Sequence, residues 1–113
     1  ERARTGAPRV LALGYSNGAN ILASVLLARP GAVDAAVLLH PLIPFALPGA
    51  DLAGTRVLVT AGRRDPICPV PLTEALIDGL AARGAAVEAV WHAGGHGIER
   101  EEVEAAAAFL RAA

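Results

Sequence analysis

Apolar and polar positions divide the chain into alternating short and long patterns. Residues 9–14, "RVLALG", are a compact apolar run of strand length. From Asn17 to Arg29 the apolar Ile21, Leu22, Val25 and Leu26 recur at helical spacing, and "RPG" at 29–31 stops the helix. "VDAAVLL" at 33–39 and "TRVLVTAG" at 55–62 predict the second and third strands. Between them, "HPLIPFALPG" is too rich in proline for regular structure, because each ring removes a backbone donor and restricts the residue before it. A second proline-punctuated loop, "RRDPICPVP", leads into a helix over 71–83, with Leu72, Ala75, Leu76 and Leu80 on its apolar face and Gly84 as its cap. "AVEAVWHA" at 86–93 predicts the fourth strand, in which Val87, Ala89 and Trp91 alternate with Glu88 and His92. After the loop "GGHGI" a last helix begins near Glu99 or Arg100, its Glu-rich first turn suiting the positive end of the helix dipole. Val103, Ala106, Ala107 and Leu110 form its apolar stripe.

Short apolar strands that alternate with amphipathic helices predict an α/β fold. A partly parallel sheet would carry helices on both faces, in a single domain over residues 1–113. Composition narrows the picture. Much of the 54% hydrophobic content is alanine, so Val, Leu and Ile must build the core beside Tyr15, Phe45, Trp91 and Phe109. Ten arginines and eleven acidic residues are intermixed to a net charge of −1, which argues against a nucleic-acid surface or a polybasic membrane surface. Cys68 is the only cysteine, so no intramolecular disulfide and no Cys-rich metal site can form. No apolar run has the length of a membrane span, and neither a metal-ligand spacing nor a phosphate loop is present. The expectation is a cytoplasmic protein that needs no cofactor.

The chemistry lies at the junctions. "GYSNG" at 14–18 sets Gly-x-Ser-x-Gly between a predicted strand and a predicted helix, the context of a nucleophile elbow. A side chain at the tip of so sharp a turn holds a strained backbone, and small residues at Gly14 and Gly18 let strand and helix approach. Ser16 would project above the sheet, with the Asn17 amide at the helix start aimed at the same space, where it would stabilise an oxyanion. A serine hydroxyl needs a base, and the base needs an orienting acid. Asp65, in "GRRDP", follows the third strand, and His96, in "GGHG", follows the fourth. Both fall at the sheet edge where open parallel sheets bind ligands, in the order Ser, Asp, His. Asp65 before Pro66 also suits a plain turn initiator. His40 and His92 are rival bases: His92 is expected on a strand face, and His40 as a cleft-lining residue. Glu99 is the substitute acid, and Cys68 reads as a small buried hydrophobe.

With these segments in hand, the chain resembles the carboxylesterase and phospholipase branch of the α/β-hydrolase superfamily, the small MhqD-like serine hydrolases. "GYSNGANI", "AAVLLHPLIPF", "VLVTAGRRDPICP", "WHAGGHGI" and the closing amphipathic helix carry the likeness, which spans the whole chain. The resemblance implies Ser16 as nucleophile, Asp65 as acid, His96 as general base and the Asn17 amide as an oxyanion donor. It makes Tyr15, His40, Pro41, Leu42 and Ile67 cleft-lining residues. The implied activity is hydrolysis of a small carboxylic ester through an acyl-enzyme. A thioesterase or lysophospholipase with the same triad, an amide-cleaving enzyme and a non-catalytic binding module are the alternatives. Leu42, Ile43, Pro44 and Phe45 lean towards an apolar acyl or alcohol group.

In such hydrolases several strands precede the elbow, and a loop after an early strand supplies the second oxyanion donor. Barely eight residues precede the first strand here, so the chain reads as the C-terminal half of the fold. The expectations that follow are an unpaired first strand and marginal stability. Weak or absent activity is expected of the piece alone, with a homo-oligomer or a preceding segment completing the sheet.

Overall fold

A computed structural model describes residues 10–42 and 47–112. Seven elements follow in the order strand β1 (Leu11–Tyr15), helix α1 (Asn17–Ala28), β2 (Ala35–Leu39), β3 (Arg56–Gly62), α2 (Val70–Ala82), β4 (Ala86–His92) and α3 (Arg100–Ala112). The strands form one sheet in the order β1-β2-β3-β4, and every pairing is parallel. Parallel neighbours need crossovers, and the crossovers put helices on the faces. Ala36 and Leu38 of β2 and Val57 and Val59 of β3 pack with α1 and α2 on one face. Ala35, Val37, Leu39 and Leu58 pack with Ala106 and Phe109 of α3 on the other. β2 is buried along its whole length because both faces are covered. The result is a four-stranded parallel α/β sheet with helices on both sides.

The buried helix faces differ from those the apolar pattern predicts. On α1, Ala19, Ala23, Leu26 and Leu27 are buried, whereas Ile21 and Val25 are exposed. The cause lies at the helix start: a Cβ on Gly14 would stand 2.5 Å from the Gly18 carbonyl oxygen, so strand and helix nearly touch there. Only alanines fit next to such an approach. On α2, Thr73, Leu76 and Leu80 are buried, while Leu72 and Ala75 face outwards. On α3 the buried positions are Glu102, Ala106 and Phe109; Val103 and Ala107 are exposed. Leu13, Leu39, Ile98, Val103, Ala107 and Leu110 line an open apolar cleft beside β1. Among the described residues β1 pairs with β2 alone, and Leu11 and Leu13 are exposed on it. No helix among the described residues is long and apolar enough to cross a membrane.

Candidate active site

All four strands deliver side chains to their carboxyl ends, and the sheet register brings those ends together. Ser16 follows β1, His40 follows β2, Asp65 follows β3 and His96 follows β4. Ser16 and His40 are the described non-glycine residues with positive φ, at 54° and 52°. Such a conformation costs an L-residue energy that surrounding contacts must repay. The Ser16 amide is fixed by the Leu39 carbonyl, and the His40 amide by the Thr60 carbonyl.

Ser16 occupies the N-cap of α1 without making a side-chain capping bond. An N-cap serine ordinarily accepts from an amide of the first turn. Here Oγ turns instead to His96 Nε2, 2.8 Å away. The positive end of the helix dipole, beginning with the Asn17 amide, is left beside that oxygen. Gly14 has the steric role expected of it. Gly18 does not, since nothing among the described residues lies within 4 Å of where its Cβ would be.

His96 Nδ1 meets Asp65 Oδ2 at 2.6 Å, completing a chain from hydroxyl to carboxylate. A glycine on β3 makes this possible: a Cβ on Gly62 would collide with the carbonyl oxygens of Gly94 and Gly95. The "GGHG" loop can therefore fold over the end of β3 and bring His96 to Asp65. Tyr15 steadies the same loop, its phenol donating to the His96 carbonyl at 2.8 Å. The two rings lie 5.4 Å apart between centroids.

Asp65 is buried and fully engaged. Oδ1 accepts the amides of Ile67 and Cys68 at 2.8 and 3.0 Å, and Oδ2 faces His96 and, at 3.1 Å, His40 Nδ1. Burial alone would raise its pKa. The hydrogen bonds from His96, His40, Cys68 and Ile67 outweigh that and hold the carboxyl well below the usual carboxylate range. Cys68 behaves in the opposite way. Burial, reinforced by the Asp65 charge, pushes its thiol up to about 11, so it remains protonated. It lies 3.9 Å from His96 Nδ1 and donates towards the His40 carbonyl.

Other residues named from the sequence fall differently. His40 and Pro41, expected to line the cleft, are fully buried; His40 stands behind Asp65, away from solvent. His92 ends β4, on a strand face as expected, and that face is buried, its Nε2 2.8 Å from Glu102 Oε1. Glu99 offers its backbone amide to Glu102, while Asp65 holds His96 Nδ1. Tyr15 and Ile67 are exposed near the hydroxyl and the acid, and Leu42 is half-buried. Ile43, Pro44 and Phe45 lie outside the described residues.

Two contributors escaped the sequence reading. Asn20 Oδ1 accepts the Leu42 amide at 2.7 Å, tying the loop after β2 to α1. Glu102 sits in the core, accepts the Thr60 hydroxyl and the Glu99 amide, and has His40 Nε2 at 2.7 Å and His92 Nε2 at 2.8 Å. Its one legible signal is the spacing from Glu99, where a Glu three residues into a helix reaches back to the cap amide.

Known proteins resemble this chain in sequence and fold. A protein of unknown function from Agrobacterium tumefaciens is 54% identical and superposes with a TM-score of 0.90 over 98% of this chain and 55% of its own. A Bacillus cereus carboxylesterase is 39% identical with a TM-score of 0.86, over 96% of this chain and 53% of its own. MhqD of Bacillus subtilis, which is named as a hydrolase, is 39% identical over 93% of this chain and 53% of itself. The chain thus spans about half the length of the relatives it matches. Residues 1–112 match the dienelactone hydrolase family. The chain belongs to that family, within the α/β-hydrolase superfamily.

Proposed function

We propose that the chain carries the nucleophile, base and acid of a serine hydrolase that cleaves carboxylic esters. The observation that carries this reading is the continuous hydrogen-bonded path from Ser16 Oγ through both ring nitrogens of His96 to Asp65 Oδ2. His96 Nε2 takes the Ser16 proton as Oγ adds to the ester carbonyl. The oxyanion that forms faces the Asn17 amide at the start of α1. Collapse expels the alkoxide, which leaves with the proton from His96, and Ser16 is left acylated. Water, deprotonated by the same imidazole, adds to the acyl carbon, and the carboxylic acid departs as Ser16 recovers its proton. Asp65 fixes the Nδ1–H tautomer throughout.

The test is labelling with a fluorophosphonate in the longest natural polypeptide that carries this chain. A single adduct at Ser16, with faster turnover of oxygen esters than of matched thioesters and amides, is the expected result. Small-molecule binding without labelling would establish a binding module instead. Faster thioester turnover would move the substrate class to thioesters.

Tyr15 gives a milder prediction. Tyr15→Phe keeps the ring against His96 but removes the bond to its carbonyl. A neutral hydrogen bond contributes about 1 kcal/mol, so kcat/KM should fall by about 2- to 10-fold in initial-rate kinetics, with the labelled residue unchanged.

A further inference from the structure

Behind Asp65, on the side away from Ser16, lies a sealed group of ionisable side chains that the proposed mechanism does not use. His40 is fully buried, as is Glu102, and His92 is 3% exposed. His40 Nδ1 faces Asp65 Oδ2 at 3.1 Å, and its Nε2 faces Glu102 Oε2 at 2.7 Å. Glu102 also takes the Thr60 hydroxyl at 2.5 Å, His92 Nε2 at 2.8 Å and the Glu99 amide at 2.8 Å. Both its oxygens are thereby engaged. Burial alone would raise the pKa of Glu102; the bonds from His40, Thr60 and Glu99, and the His40 charge, lower it instead.

The protons can be assigned from the partners. The Gly94 amide donates to His92 Nδ1 at 2.9 Å, so that nitrogen is an acceptor and the His92 proton sits on Nε2, which has Glu102 Oε1 at 2.8 Å and His40 Nε2 at 3.4 Å. Both His40 nitrogens lie against carboxylate oxygens, Nδ1 in a hydrogen bond to Asp65 and Nε2 in close contact with Glu102, and a bare nitrogen lone pair facing an ionised carboxylate is repelled. Three groups then share two protons, and two buried carboxylates are bridged by one imidazole. The backbone of His40 is also held at φ 52°. Complete burial, left-handed backbone and contact with the acid all converge on one residue.

We propose that His40 is a positioning residue for Asp65: protonated on both ring nitrogens and anchored by Glu102, it is a buried cation that holds the acid ionised and aimed at His96. This rests on the serine-hydrolase reading for its kinetic consequence, though not for the protonation itself. The groups facing His40 are Asp65, Glu102, His92 (Nε2 to Nε2, 3.4 Å), His96 and Tyr15 (ring centroids 5.3 and 5.9 Å), and Cys68 at its carbonyl.

The protonation is read by nitrogen-15 NMR of the histidine rings in the unmodified protein, without reference to activity. Both His40 nitrogens should show imidazolium shifts at neutral pH; a neutral ring there overturns the proposal. So does an equimolar tightly bound zinc ion, since metal-bearing nitrogens cannot carry those protons. The kinetic arm uses the double variant His40→Asn/Glu102→Gln. It removes one cation and one anion together, and it places at position 40 a residue that tolerates left-handed backbone. It should label at Ser16 and lose about 10- to 100-fold in kcat/KM. An unchanged kcat/KM in a folded variant would reduce the network to packing. Failure of the unmodified protein to label or turn over esters would instead count against the hydrolase reading and leave the NMR result standing.

Discussion

Ser16→Ala is expected to lower ester turnover by about 10⁶-fold and to abolish fluorophosphonate labelling, because no other group can take over the attack. Cys68 is the nearest alternative nucleophile, but its thiol is pushed up to about 11 and it faces Nδ1 of His96, the nitrogen that Asp65 already holds. Stability should hardly change. Ser16 makes no side-chain capping bond, so alanine forfeits only the bond to His96, about 1 kcal/mol, and the left-handed backbone is no worse for Ala than for Ser. His96→Ala should cost a similar factor. The two losses should not add, since nucleophile and base act as one unit. Turnover by burst and steady-state kinetics, with thermal melts alongside, decides it. A residual rate above about 1% would move the nucleophile elsewhere.

The path from Ser16 to Asp65 was legible because each member sits in a loop whose position is dictated by a neighbouring strand. Three apolar runs and their glycine or proline exits are enough to place Ser16, Asp65 and His96 at one rim of a parallel sheet. Helix faces were less legible. The apolar pattern weights bulk, so it selects Ile21 and Val25 on α1, yet the contact of Gly14 with Gly18 leaves room only for Ala19 and Ala23. On α3 the same habit passes over Glu102, a charged residue at the head of the buried stripe. Its partners lie just after β2 and on β3 and β4, and no local pattern joins positions 40, 60, 92 and 102. His40 was misplaced for the same reason. A histidine after a strand and before a proline suggests a loop facing solvent, whereas three carboxyl ends and one helix close over it.

Asp65→Asn should cost about 10⁴-fold in kcat, and the position of its amide explains why. Oδ1 accepts two backbone amides, from Ile67 and Cys68, which can only donate. The asparagine carbonyl must take that site, which forces its NH2 into the place of Oδ2. There it points hydrogens at Nδ1 of His96 and of His40, where the carboxylate accepted them. His96 then has to present Nδ1 as an acceptor and carry its proton on Nε2, the nitrogen that should receive the proton of Ser16. The base is lost through its tautomer while the ring stays in place, so fluorophosphonate labelling should slow in parallel with turnover. The same substitution alters the acid limb of stability. Asp65 and Glu102 bind protons more weakly in the fold than in the unfolded chain. Their contribution is therefore complete above about pH 4.5, the upper end of unfolded carboxyl values, and drains away as the pH falls through and below that range. Without the Asp65 carboxyl, urea midpoints should fall less steeply between pH 4 and 2 than those of the unsubstituted protein, with the Glu102 share remaining. A mild kinetic effect with full labelling would transfer the orienting role to another acid, Glu99 first, and leave Asp65 as the turn that binds two amides before Pro69.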